Sequence, residues 1–181
     1  MNSLSRDPPH EAATTGADRP PQPGEAPPFH IILHQPEIPG NTGNILRLCA
    51  AAGAVLHLVG PLGFRLDAAA LRRAGMDYRQ LADCRRHPDW NAYLEQEPAG
   101  SRRFALTTRG ESRPDEHAFR PGDRFLFGSE SSGLPQALLE AHPGRRLRIP
   151  MHTDARSLNL ANSVAILLYE ALRQNHFPGL R

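Results

Sequence analysis

The chain has 181 residues, 18 of them proline, and a formal net charge of +2. Seven prolines fall in the first 28 positions, and the remaining 153 residues suit one compact domain, large enough to bury a core and too small for two. The longest uncharged apolar run, 48–56, is nine residues against the roughly 20 that a bilayer crossing needs, which excludes a transmembrane helix.

Nothing at the N-terminus has the basic-then-apolar profile of a secretory leader, so the chain is expected in the cytoplasm. Cys49 and Cys84 lack the CxxC spacing of zinc or redox sites and are expected to be reduced and packed. All 21 basic residues are arginines. Residues 1–28 carry a net charge of −2, which leaves the rest at +4; that modest surplus permits an anionic partner such as RNA without demonstrating one.

Residues 1–28 hold proline, glycine, alanine, threonine and charged residues with Leu4 as the one large aliphatic, a composition that predicts disorder. The folded domain is expected over 29–181. Residues 29–34 read as a first strand, followed by a helix over 42–52 that Gly53 stops, then a second strand over 55–59. Asp67 can cap a helix through Arg73, and Asp89 can cap another through Glu97 that Pro98 closes. Residues 103–107, 124–127 and 147–149 read as strands. The last helix, 158–174, sets Leu160, Val164, Leu167, Leu168 and Ala171 on one face, the mark of a core-packing element. Strands alternating with helices predict an α/β fold with a mainly parallel sheet.

Common catalytic fingerprints are missing. The chain has no GxGxxG after a strand, no GxxxxGK[ST] and no HExxH, and 128–133 (Gly-Ser-Glu-Ser-Ser-Gly) puts Glu130 where a serine hydrolase carries its nucleophile. No metal site is expected. Three other segments are unusual for purely structural use. In 41–47 (Asn-Thr-Gly-Asn-Ile-Leu-Arg), Arg47 interrupts an otherwise apolar helix, so its charge needs a polar or anionic target. In 125–134 a strand runs into a loop bracketed by Gly128 and Gly133, the kind of place where ligands meet the carboxyl ends of a parallel sheet. In 148–163, Ser157, Asn159, Asn162 and Ser163 crowd the start of the most apolar helix.

Together these segments resemble the three motifs of the SPOUT superfamily, specifically its SpoU branch of RNA ribose 2′-O-methyltransferases, over residues 30–179. Pro36-Glu37-Ile38-Pro39, Leu71-Arg72-Arg73-Ala74-Gly75-Met76-Asp77-Tyr78 and Phe177-Pro178-Gly179 are similar to the small single-domain members that methylate the wobble nucleotide of the tRNA anticodon. The resemblance implies a C-terminal deep trefoil knot, S-adenosylmethionine as cofactor, tRNA as substrate and a homodimer. By motif position it implies cofactor contacts from Leu106, Thr107, Gly128, Glu130, Ile149, Ser157, Leu158 and Asn159, with Arg47, Asn41 and Asn159 serving catalysis. Where relatives often carry proline and a basic residue, this chain has Ser129 and Ser132. A sibling acting on another tRNA position or on rRNA, and a non-catalytic RNA-binding homologue, are the alternatives. The arginine pairs 72–73, 85–86, 102–103 and 145–146 form a candidate phosphate-binding set if the fold gathers them on one face.

Overall fold

A computed structural model describes residues 28–65 and 84–181. Six strands form one sheet in which every pairing is parallel: β1 (His30–His34), β2 (Val55–Val59), β3 (Cys84–His87), β4 (Arg103–Leu106), β5 (Arg124–Phe127) and β6 (Arg146–Leu147). Their order is β3-β2-β1-β5-β4-β6. The chain therefore builds outward from β1 to β3, then starts again on the other side, and the order reverses between β1 and β5. Ligands in open parallel sheets bind at such a reversal, beyond the strands' carboxyl ends.

Both faces of the sheet are covered, which is why the central strands read as continuous apolar runs. On one face Ile31, Leu33, Leu56, Leu58, Phe104 and Phe125 meet Ile45, Leu46 and Cys49 of helix α1 (Pro39–Ala52) and Val164, Leu167 and Leu168 of the C-terminal helix α4 (Leu160–Gln174). On the other, Ile32, Val59, Ala105 and Leu126 meet Tyr93 of α2 (Trp90–Gln96) and Leu139 of α3 (Gln136–Glu140).

The sequence patterns locate most of these elements, and the differences have local causes. Helix α1 starts at Pro39, three residues before the expected Thr42. Proline suits a first helical turn, and Ile38 ahead of it supplies no side-chain cap. Gly53 ends it in the left-handed region at φ 65°, where its neighbour Ala54 donates to the Cys49 carbonyl at 2.9 Å. Helix α4 starts at Leu160 because the Asn159 side chain caps it, accepting from the Ala161 and Asn162 amides. Asp89 caps α2 as expected, through the Ala92 amide. Strand β4 stops at Leu106 and β6 occupies 146–147 instead of 147–149. Strand β3 and helix α3 are additions to the expected elements. The expected helix over 67–73 and the proline-rich segment up to residue 27 lie outside the described residues.

A ladder of histidines crosses the sheet beneath α2. His30 Nδ1 lies 3.0 Å from His57 Nε2, and His57 Nδ1 lies 3.0 Å from His87 Nε2. Each contact needs one ring to donate and the other to accept, so two neighbouring rings of the ladder cannot both be protonated. The Tyr93 ring stands edge-on to both His57 and His87. Burial, reinforced by Arg124 and Arg85, lowers His30 to about 3; burial with the positive charge of its neighbours lowers His57 further, and burial lowers His87. An unfolded chain takes up these protons near pH 6.5 while the folded one refuses them. Stability is therefore full above about pH 6.5 and falls as the pH drops towards about 3, with His30 and His57 each contributing up to about 1.4 kcal/mol per pH unit and His87 acting in the same direction. Urea unfolding between pH 8 and pH 4.5 should show this loss, and His57→Leu should flatten the profile below pH 6.5.

Candidate active site

The loop after β5 is folded tightly back on itself. The Gly133 amide donates to the Ser129 carbonyl at 3.0 Å, and Gly133 sits at φ 70°. A Cβ on Gly128 would overlap the Gly133–Leu134 main chain, so glycine is required there by contact. Ser129 and Ser132 bond to each other at 2.7 Å, and Ser129 Oγ also accepts from the Ser132 amide at 3.3 Å. The pair ties the loop from within.

Two carboxylates lock this loop to the segment before α1, each from the opposite side. Glu130 accepts from the Glu37 amide at 2.7 Å, the Ile38 amide at 3.2 Å and the Asn41 side-chain amide at 2.9 Å. Glu37 in return accepts from the Ser131 amide at 3.1 Å and the Ser131 hydroxyl at 2.7 Å. Glu130 thus supplies the negative acceptor that α1 lacks at its own N-terminus. Asn41 passes the connection on, since its Oδ1 accepts from Asn159 Nδ2 at 3.0 Å. Asn159 is the cap of α4, so one unbroken set of hydrogen bonds joins residues 37–41, 128–132 and 159–162, which are remote in sequence.

Around this junction lies a cleft of about 510 Å3 at the carboxyl ends of β5, β4 and β6. Asn41, Leu106, Thr107, Gly128, Glu130, Ile149, Ser157, Leu158 and Asn159 all line it. Arg47 does not. It lies exposed on α1, outside the lining of its own chain's cleft. The cleft also takes in Arg109, Arg148, Met151, Arg156 and Ser163. Arg148, Met151, Arg156 and Ser163 fall in the third unusual segment, but neither spacing nor composition tells which side chains there face inward; Thr108 and Arg109 in the turn after β4, and Leu139 on α3, had no sequence signal. Among the described residues, no group of histidine, cysteine, aspartate or glutamate side chains could hold a metal ion.

This cleft at the reversal of a parallel α/β sheet defines an α/β domain with a ligand site at its strand ends, and comparison with known proteins narrows it. The sequence profile of the SpoU rRNA Methylase family matches residues 28–169, and the chain belongs to that family. It is 55% identical over 153 residues to the tRNA (cytidine(34)-2′-O)-methyltransferase of Burkholderia cenocepacia, covering 83% of this chain and 98% of that one. The Escherichia coli K12 enzyme of the same name is 48% identical over 152 residues, covering 83% and 96%. A solved structure described as giving insights into the 2-OH methylation of C/U34 on tRNA superposes with a TM-score of 0.77 at 49% identity, covering 82% of this chain and 96% of that one. The SpoU methyltransferase AviRb from Streptomyces viridochromogenes, solved in complex with AdoMet, superposes with a TM-score of 0.71 at 26% identity, covering 87% and 60%.

Because the Gly128 position has no room for a side chain, Gly128→Ala should force the loop apart. Overpacking of this kind costs about 1–3 kcal/mol, which for a domain of this size lowers the thermal midpoint by roughly 2–10 °C. Differential scanning calorimetry measures it, and an unchanged midpoint would contradict the tight packing.

Proposed function

We propose that this chain is an S-adenosylmethionine-dependent 2′-O-methyltransferase acting on the ribose of nucleotide 34 in the tRNA anticodon loop. The observation that carries this reading is the hydrogen-bonded junction of the three family motifs around a single cleft, in a chain aligned over nearly the whole length of relatives bearing that activity's name.

The cleft fits the cofactor. Leu106, Ile149 and Leu158 offer apolar surface for a flat base, while Thr107, Ser157 and Asn159 offer polar groups at the same opening. The bare main chain at Gly128 lets backbone groups approach a ligand closely. Leu106, Thr107, Gly128, Glu130, Ile149, Ser157, Leu158 and Asn159 would hold S-adenosylmethionine, whose sulfonium supplies an activated methyl group when bound. Glu130 does so indirectly, because its carboxylate oxygens are already occupied by the segment before α1.

A ribose hydroxyl is a poor nucleophile at neutral pH. The protein therefore has to hold it in line and stabilise negative charge as it forms on the oxygen. Asn41 and Asn159, fixed to each other and to Glu130, orient the site. Arg47 stabilises the developing oxyanion as a permanent cation; a guanidinium gives up its proton too reluctantly to be the base. Since Arg47 lies outside its own cleft, it acts across a homodimer in the cleft of the second copy. Exposed apolar side chains support that assembly: Ile38 is 49% exposed, Leu158 37%, Ile166 44%, Tyr169 44% and Phe177 39% in the single chain. Ile38 and Leu158 belong to the cleft lining, so a second copy covering them would also complete the site.

The reading includes a deep trefoil knot in the C-terminal part and action in the cytoplasm, where tRNA is modified. Supporting the knot, residues 148–159 leave β6 at the sheet's edge, line the cleft and deliver α4 back to the central core beside α1. Among the described residues, no helix is long and apolar enough to cross a membrane.

Purified protein with S-adenosylmethionine should place a 2′-O-methyl group on nucleotide 34 of tRNA, mapped by mass spectrometry; methylation elsewhere, or none, would overturn the assignment. Arg47→Ala should lower the transfer rate by about 100-fold or more while cofactor affinity stays nearly intact. Mixing Arg47→Ala with Asn41→Ala chains should restore activity through one intact composite site per mixed dimer. Absence of any rescue would overturn the role of Arg47 across the dimer.

A further inference from the structure

The ion pairs divide the arginines into two groups. Arg102 pairs with Asp123 at 3.2 Å, Arg103 with Glu97 at 3.1 Å, and Arg146 with Glu111. Arg102 and Arg145 also lie against the Phe104 ring. Arg85 and Arg86 sit on β3, at the sheet edge opposite β6, and Arg72 and Arg73 lie outside the described residues. Among the described residues, the doublets 102–103 and 145–146 meet at β4 and β6, where they are largely engaged within the fold, while 85–86 lies at the opposite edge of the sheet, so these doublets share no single face.

Arg109, Arg148 and Arg156 are different. Each is exposed, each lines the cleft, and none makes an ion pair among the described residues. They arrive on two connections: Arg109 in the turn after β4, and then Arg148 and Arg156 at the start and near the end of the stretch that joins β6 to α4. The first two are held together by the main chain. A Cβ on Gly110 would overlap the Leu147–Arg148 peptide, the Thr107 amide donates to the Leu147 carbonyl at 2.9 Å, and the Arg148 amide donates to the Ser112 carbonyl at 2.8 Å. The nearest acid in sequence to Arg156 is Asp154, whose contact is with His152 at 3.6 Å. Glu37 and Glu130 at this end of the sheet are committed to the loop junction, and Glu111, two residues after Arg109, is committed to Arg146.

Three uncompensated guanidiniums at one opening would repel one another, and an anionic ligand relieves that repulsion. We infer that Arg109, Arg148 and Arg156 form a rim that grips the phosphodiester backbone of the RNA on either side of the nucleotide to be methylated. The inference rests on the proposed RNA substrate and assigns the side chains that hold it. A cofactor carboxylate is the other anion within reach, but its single charge, already balanced by the amino group beside it, does not call for three cations. Arginine also suits phosphate better than a point charge does, because its planar fork makes paired hydrogen bonds to two phosphate oxygens.

The test uses Arg109→Ala, Arg148→Ala and Arg156→Ala in the full chain, with tRNA binding titrated against salt and S-adenosylhomocysteine binding measured by calorimetry. Each variant should weaken tRNA binding by about tenfold and reduce the slope of log affinity against log salt by about one, with S-adenosylhomocysteine affinity unchanged. Arg148→Lys should retain the slope while losing part of the affinity. Unchanged tRNA affinity and slope in all three variants would overturn the rim, and a loss confined to S-adenosylhomocysteine binding would reassign these residues to the cofactor. The binding titration needs no turnover. A wild-type protein that binds tRNA through these residues yet methylates nothing would sink the proposed reaction and leave the rim standing.

Discussion

The crossed carboxylates Glu37 and Glu130 are what the rest of the site depends on. A parallel sheet fixes where its strands end, but the connections beyond those ends are free to diverge unless something ties them. Here each carboxylate accepts main-chain amides of the other's segment, and Asn41 extends the tie to Asn159 at the head of α4. Hydrogen bonds to a charged acceptor are worth about 1.5–3 kcal/mol each when shielded, and less where water competes. Several acting on the same two loops fix one geometry for the cleft where independent contacts would allow many.

The fold and the site differ in how far the sequence reveals them. Strand β2 is recognisable at its observed limits because its residues are buried along the whole strand and Gly53 and Gly60 bracket it. Strand β3 is not recognisable, since Cys-Arg-Arg-His has no apolar alternation and becomes a strand only by pairing with the edge of β2. The start of α1 is obscured for a related reason: its N-terminal acceptor is Glu130, about ninety residues downstream. Local rules see propensity and period; they do not see partners supplied by the tertiary structure.

The same limit governs the functional residues. Glycines bracketing a loop and a polar-rich helix start mark the cleft because unusual local composition is visible in one dimension. The arginines cannot be sorted that way. Arg103 and Arg109 look alike in sequence, yet Arg103 is matched by Glu97 while Arg109 lines the cleft without an acidic partner among the described residues. Doublets catch the eye, and ion pairing decides which charges remain for a ligand. Arg47 shows a further level, because its place on the exposed face of α1, outside the cleft of its own chain, is visible only in three dimensions.

Glu37 tests the central claim most directly, because it belongs to the loop junction and lies outside the cleft lining. Calorimetric titration of Glu37→Gln with S-adenosylmethionine isolates the effect of loosening the junction without touching the ligand's own contacts. The account predicts about tenfold weaker binding in a protein whose unfolding transition remains cooperative. Binding as tight as in the unmodified chain would show that the cleft holds its shape without the crossed carboxylates.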